Sequence, residues 1–354
     1  TEQDIKWIIR LMVFGALFTM IYAPITYYTQ GVPVISSLKF QEDEFYTWHQ
    51  YMSVPAVTVA MLIFSRWSPR EVFGLQHIFV LLLYVGCFVL VLVSGKRIAL
   101  LTILIVPLLS AIAYRQFSLI FSAVLLSGLI VAPLVVGQGQ LFTLPLTVQR
   151  TLSWLPGAWA PELDQIAGGA DDWRAELRTI ATENIKRNPW VGEGFSVNIA
   201  ETINAVSAMA TSSEMEGKVL PFALGKAWHN TWLGYSADFG LPFALIQVVI
   251  YWSILVVSFR LFKCFGSTNL FGVFSLYVFF FTCRDIFSSH TSGHSALDAF
   301  NKWWMYGVVI SIYIQHNTLI SAVTERQTLV KQRPLDRRSL LSTRQRAADP
   351  ALEN

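Results

Sequence analysis

Residues Phe73–Val93 read FGLQHIFVLLLYVGCFVLVLV, and from Ile78 onward the run carries no charged side chain. A bilayer core about 30 Å thick needs roughly 20 apolar residues in a helix, so this stretch has the length and character of a membrane span. A surface helix of a soluble protein would show a polar stripe, and this run has none. Its surroundings agree. The chain has 354 residues, 54% of them hydrophobic and only 14% charged, with a mean hydropathy of +0.49. Soluble globular enzymes carry about 25% charged residues, so a water-soluble enzyme is excluded, and so is disorder.

Working outward, seven further apolar runs complete a set of eight predicted spans: Trp7–Ile25, Tyr51–Phe64, Ile98–Tyr114, Phe117–Val136, Leu241–Phe259, Leu270–Thr282 and Trp303–Ile314, with Phe73–Val93 third in chain order. The fold class predicted is an all-α integral membrane protein, a polytopic bundle with a large helical loop on one side. Residues 1–136 and 241–315 form the two membrane parts, 137–240 the loop and 316–354 a basic tail. Three cysteines are too few for a disulfide framework. The net charge of +3 comes without any stretch that interleaves basic and aromatic residues away from the spans, so nucleic acid is not an expected partner. Membrane lipid is.

Lys/Arg placement in short loops sets the orientation. The joins after spans two, four and six hold Arg66, Arg70, Arg115, Arg260 and Lys263 against a single acid, Glu71, which puts them in the cytoplasm. The opposite loop, Gly137–Gly240, holds eleven acids against seven Lys/Arg, a net of −4. A segment of that length is far longer than an ordinary connection and is where function is expected. In it, Asp171–Lys186 is predicted as a helix following Gly168-Gly169, with Arg174 and Arg178 four apart on one face, and Pro189 ending it. A second helix is predicted from Ala227 to Phe239, stopping at Gly240.

Five groups of residues have chemistry to offer. Lys96 and Arg97 occupy the tight turn Ser94-Gly95-Lys96-Arg97 on the external side, against the inside-positive bias. They read either as cations snorkelling to lipid headgroups or as holders of an anionic ligand at the free amides of a helix N-terminus. Asn188-Pro189-Trp190-Val191-Gly192-Glu193-Gly194-Phe195 is turn-rich, and Gly192 and Gly194 permit positive φ or close approach of a ligand, though glycines after a helix stop are also ordinary. His229 beside Asn230 offers an imidazole that titrates near neutrality and an amide that positions it or a sugar. A lone histidine is also commonly structural. His290 and His294 are four apart, as in a helical zinc site, but Gly293 and the surrounding Ser/Thr oppose a helix and the zincin glutamate is absent, so no metal and no cofactor is expected. Arg284-Asp285 reads as a structural ion pair, or with Arg284 as a third cation facing the external side.

Taken in order, a cation turn opening a helix, a long external loop with Pro189-x-x-Gly192-x-Gly194, and His229-Asn230-x-x-Leu233 leading to Gly240 and a span resemble the O-antigen ligase and O-antigen polymerase superfamily of bacterial membrane glycosyltransferases. The likeness covers about Ser94 to Gln247, with Lys96 and Ile98 standing where members often carry a small residue and a glycine. The resemblance implies a GT-C-like fold in the bacterial inner membrane with its active site on the periplasmic face. It implies transfer of a glycan from undecaprenyl diphosphate to a lipid A-core hydroxyl by inversion, independent of metal. Arg97 would bind the diphosphate and His229 act as base. A second arginine is expected before the Pro-x-x-Gly segment, where Arg174, Arg178 and Arg187 all qualify and Arg178 is favoured for its mid-helix position. Lys96, Arg284, Asn230, Gly192 and Gly194 are the remaining substrate-binding candidates, and Asp238 and Glu193 the carboxylates near enough in sequence to receive the proton. A polymerase or an O-linked oligosaccharyltransferase would use the same residues with another acceptor. A polysaccharide-lipid flippase is the reading from a different class, and it would more often show spans broken near mid-membrane. Because the chain begins with Thr1 and members have more helices ahead of the arginine turn, a further N-terminal portion is expected.

The chemistry supports this reading on its own terms. Outside the cytoplasm no nucleotide-sugar is available, so the donor must carry its own leaving group. Fixed guanidiniums outside bulk water can stabilise the charge that builds on a departing diphosphate.

Overall fold

The computed structural model describes residues 2–30, 49–153, 155–194, 223, 230–287 and 302–318. Eleven helices are used here: α1 Glu2–Gln30, α2 His49–Arg66, α3 Ile78–Val93, α4 Arg97–Ala113, α5 Phe117–Gly137, α6 Leu146–Leu152, α7 Pro161–Arg187, α8 Thr231–Phe239, α9 Leu241–Phe265, α10 Leu270–Phe287 and α11, residues 302–318. Among the described residues the only β pairing is an isolated bridge, Gln138 to Phe142. Every one of the eight predicted spans falls on a helix. Two helical stretches, Leu75–Val93 and Leu241–Phe265, are long and apolar enough to cross a membrane, and Met52–Arg66 and Arg97–Ala113 are apolar but shorter.

The third predicted span starts too early. Ser68-Pro69 opens a single helical turn, Pro69–Val72, capped by the Glu71 carboxylate accepting from the Ser68 N–H at 2.7 Å. A 3-10 turn at Leu75–His77 follows, and the regular helix begins only at Ile78. In the long loop α7 runs straight through Gly168 and Gly169 and starts ten residues before the predicted Asp171, with Pro161 at its first turn. Proline's fixed φ suits that position, and two glycines cost less helix than their turn propensity suggests when the flanks are strong helix formers. The second loop helix begins at Thr231 and not at Ala227, because Asn230 is its N-cap with extended φ/ψ, and its side chain accepts from Leu233 N–H at 3.0 Å.

α2 sits at the centre, packed on α1, α3, α4 and α10. Ser53, Ala56 and Ala60 are buried along it at helical spacing, and such small residues let neighbouring helices approach closely where lipid supplies no hydrophobic drive. Hydroxyls then tie helix to helix: Tyr84 donates to Ile103 O at 3.1 Å, Ser110 to Phe64 O at 3.1 Å and Tyr114 to Ser65 O at 3.2 Å.

The helix directions sort the charges to opposite ends of the bundle. One end holds Arg66, Arg70, Arg115, Arg260 and Lys263. There Lys263 donates to the carbonyl of Ala113, the last residue of α4, and Arg66 to that of Ser267, so cations meet the negative ends of helices. The other end holds Lys96, Arg97, Arg284, Lys302 and the α6–α8 segment.

At that second end an ion pair locks three helices. Asp285 on α10 is 2% exposed and lies 2.5 Å from the ammonium of Lys302 on α11, itself only 13% exposed. Tyr251 on α9 donates to the same carboxylate oxygen and accepts from Lys302 at 2.5 Å. The predicted structural pairing of Arg284 with Asp285 is therefore replaced: adjacent residues on a helix point about 100° apart, and the acid faces α11. Trp232 of α8 packs edge-on against Tyr251 with ring centroids 5.4 Å apart and donates to Ile286 O at 3.2 Å, so the loop helix is joined to the same cluster.

The Pro189–Gly194 turn crosses the end of α8. Leu241 N–H donates to Pro189 O at 2.8 Å, Glu193 N–H to Ala237 O at 2.9 Å and Gly194 N–H to Asp238 O at 2.9 Å. Gly192 and Gly240, at φ +72° and +84°, face the opposing backbone so closely that a Cβ would lie 2.4 Å from Asp238 C and 2.5 Å from Trp190 C. Behind the crossing, Leu177 and Ala181 of α7 pack on Ala237 of α8.

Two outcomes follow for stability in detergent. Lys302→Met leaves a buried carboxylate without its cation and costs about 3–5 kcal/mol, seen as a lower thermal unfolding midpoint, and Asp285→Asn in the same chain recovers much of the loss. Gly194→Ala, at φ +87° with open space around it, costs about 1–2 kcal/mol, whereas Gly192→Ala and Gly240→Ala cost more because main chain must move. Thermal midpoints of the three variants should rank in that order.

Candidate active site

α4 opens at Arg97, with Lys96 as its N-cap in extended conformation and Gly95 at φ +71° making the turn from α3. Arg97 thus stands at the first position of a helix, where amides lack intrahelical partners. Its guanidinium is exposed and is gripped from the side: Nε donates to Arg150 O at 3.2 Å and a terminal nitrogen to Ser153 Oγ at 2.8 Å. These two bonds, to a carbonyl and a hydroxyl, fix the direction of the guanidinium. Hydrogen bonds to a charged group contribute about 1.5–3 kcal/mol each.

The element that supplies them, α6, was not anticipated from the sequence. Its seven residues follow Pro145 and are held on both sides. Thr151 donates to Leu92 O at 3.0 Å, which fastens α6 to the end of α3. Gln149, buried, donates to Leu144 O at 2.7 Å and accepts from Ala160 N–H at 3.0 Å, and Ala160 is the N-cap of α7. Gln138 accepts from Leu144 N–H at 2.8 Å. A short bracket therefore connects the cation turn to the origin of the arginine-bearing helix. Two buried glutamines and a threonine in a non-membrane stretch were the available signal, because buried amides need partners.

Lys96 is half-buried beside Arg284. Burial, and after it the Arg284 charge, hold the Lys96 ammonium below its ordinary pKa. Two like charges kept close in a poorly solvated place favour an anion between or beside them. Arg284, distant in sequence, is thus near enough to the cation turn for its charge to act on Lys96.

Arg174 and Arg178 are exposed on α7, and the Arg178 Nε donates to Arg174 O at 3.3 Å, lying back along its own helix. Arg187 pairs with Glu183 one turn away at 3.8 Å, a weak surface contact. α7 packs on α8, so these three arginines belong to the loop pair, while Lys96, Arg97 and Arg284 belong to the bundle end. Asn230 uses its carbonyl oxygen as the α8 cap, which leaves its amide as the donor it has to offer. Gly192 is required by the backbone crossing, whereas Gly194 faces open space. Glu193 and Asp238, the carboxylates expected to receive the proton, lie on segments joined by the backbone bonds of the crossing, with Asp238 buried and Glu193 exposed. His229, His290 and His294 lie outside the described residues.

No curated protein and no solved structure matches the chain significantly. A family model does: residues 78–247, from the start of α3 into α9, match the family described as O-antigen ligase. The matched stretch contains the cation turn, the α6 bracket, the arginine-bearing helix and the glycine crossing, and family and helices together indicate a membrane protein with a glycosyl-transfer role. That match, over just under half of the chain, supports membership of the O-antigen ligase superfamily.

Proposed function

We propose that the protein is an O-antigen ligase with about eight membrane spans in this chain, a GT-C-like architecture and its site on the periplasmic side of the bacterial inner membrane. The donor is a glycan on undecaprenyl diphosphate and the acceptor a hydroxyl of the lipid A-core. The observation that carries this reading is the gripped guanidinium of Arg97 at a helix start, with Lys96 and Arg284 adjacent, at the bundle end opposite the five clustered cations.

In the proposed reaction Arg97 holds the diphosphate, with Arg178 as the second guanidinium and Arg174 or Arg187 as its substitutes. His229 takes the proton of the acceptor hydroxyl as that oxygen attacks the anomeric carbon from the face opposite the phosphate. The new glycosidic C–O bond forms while the C–O bond to phosphate breaks. The electron pair leaves with the lipid diphosphate, where the guanidiniums meet a charge that is larger in the transition state than in the bound donor. The proton passes from the imidazole towards the Glu193–Asp238 pair or water. Asn230, Gly194, Lys96 and Arg284 would contact the sugar or phosphates.

In a strain lacking its own ligase, the wild-type protein restores smooth lipopolysaccharide on a gel, and His229→Ala and Arg97→Ala do not. Ser153→Ala keeps Arg97 but frees one of its nitrogens, and it slows transfer by about an order of magnitude, consistent with loss of one charged hydrogen bond. Smooth lipopolysaccharide at wild-type level in the Arg97→Ala strain would overturn the assignment. Accumulation of single-repeat lipopolysaccharide in a knockout would indicate a polymerase instead.

A further inference from the structure

Trp190 and Val191 are 77% and 75% exposed, at the tip of the Pro189–Gly194 turn. An exposed tryptophan next to an exposed valine is ordinarily avoided on a surface that meets only water. Here the turn cannot fold these side chains away, since Gly192 and Gly240 interlock its main chain with α8 and three backbone hydrogen bonds close the crossing. The exposure is built in.

The height of this tip follows from the bond between Leu241 N–H and Pro189 O, which sets the turn at the first residue of α9. α9 has 25 residues, a length of about 37 Å at 1.5 Å per residue, which exceeds the hydrocarbon core of about 30 Å and falls short of the roughly 40–45 Å that includes headgroups. A span of that length centred on the bilayer puts its first residue in the headgroup layer. The exposed face below is continuous and apolar, through Leu241, Leu245, Val248, Val249 and Trp252. One turn before the tip, Lys186 and Arg187 are exposed at the end of α7. An aromatic and an aliphatic side chain beside two cations, level with a span end, are what the interface between water and acyl chain accepts.

We infer that the Trp190–Val191 tip is a bilayer-docking surface: it inserts into the outer headgroup layer beside α9, with Lys186 and Arg187 on lipid phosphates, and so holds the α7–α8 pair against the membrane. Arg187, a candidate for the donor diphosphate, is on this account a contact of the bulk lipid. The inference concerns attachment of the loop and stands whether or not the transferred group is a glycan.

The test uses the full chain in vesicles of phosphatidylethanolamine and phosphatidylglycerol. Single cysteines replace Trp190, Val191 or Glu193 in a background where Cys87, Cys264 and Cys283 are serine, each carrying a nitroxide. Spin labels at 190 and 191 should relax more with oxygen than with a water-soluble nickel chelate, and the label at 193 the reverse. Nickel-dominated relaxation at 190 and 191 overturns the proposal, and so does protection from both agents, which would mean a protein partner or a second copy covers the tip. Should the cysteine-free background fail to fold, brominated acyl chains serve with the native cysteines. Quenching of tryptophan fluorescence should fall in Trp190→Phe relative to wild type when the bromines lie near the headgroups. Equal quenching in the two proteins would count against insertion. In the same vesicles, Lys186→Gln with Arg187→Gln should reduce the quenching at Trp190 most where phosphatidylglycerol is abundant, and no dependence on that lipid would remove the role given to the two cations.

Discussion

A carboxylate buried between apolar helices sets the terms for one end of this molecule. Asp285 sits at 2% exposure, where an unpaired charge would cost several kcal/mol, so Lys302 and Tyr251 must be brought to it. Meeting that requirement fixes α9, α10 and α11 relative to one another at a height where helix packing alone specifies little. Trp232 extends the arrangement to α8 by its ring contact with Tyr251 and its bond to Ile286 O. The segment that presents Asn230, and in sequence His229, thereby starts from a rigid footing. Such a pair is a poor source of net stability and a good source of specificity, because few other packings of three apolar helices would neutralise the acid.

Two further devices pass that rigidity to the cations. The α6 bracket uses one threonine and two glutamines to link the end of α3, the Arg97 guanidinium and the origin of α7. The glycine crossing uses main-chain contacts too close for any side chain to link the end of α7 with the end of α8. The spacing Pro-x-x-Gly-x-Gly and the Gly at the foot of α8 are thus explained by packing before any ligand is considered. Gly194 has open space where a Cβ would lie, yet its φ of +87° and its N–H bond to Asp238 O tie it to the same crossing. Function and architecture share this motif, and a residue's place in it does not by itself say which of the two it serves.

The eight helical runs were legible in the sequence because their signal is length and hydropathy, which need no knowledge of partners. The cation turn was legible as well, since Gly95 and the reversal of hydropathy at Lys96 mark the start of α4. What the sequence hid was everything decided by contact. Asp285 next to Arg284 looks like a pair, yet the turn of the helix sends one towards α11 and the other towards Lys96. Gly168-Gly169 looks like a break, yet α7 continues through it because residues on both sides are strong helix formers. α6 was missed because seven residues show no resolvable period, and its existence depends on bonds to Leu92 and Ala160 from elements distant in the chain.

An exposed arginine at a helix start is common, and on its own it would say little. The difference here lies in what orients it. The Arg150 carbonyl and the Ser153 hydroxyl remove rotamer freedom that a bound anion would otherwise have to freeze. Lys96 and Arg284 add charge of the same sign, and burial first, with the Arg284 charge after it, holds the Lys96 ammonium below its ordinary pKa. A cluster of like charges at a helix start is stabilised by a doubly charged group of the opposite sign. It gains still more as that group accumulates charge, and this is the ordering of energies that a departing diphosphate requires.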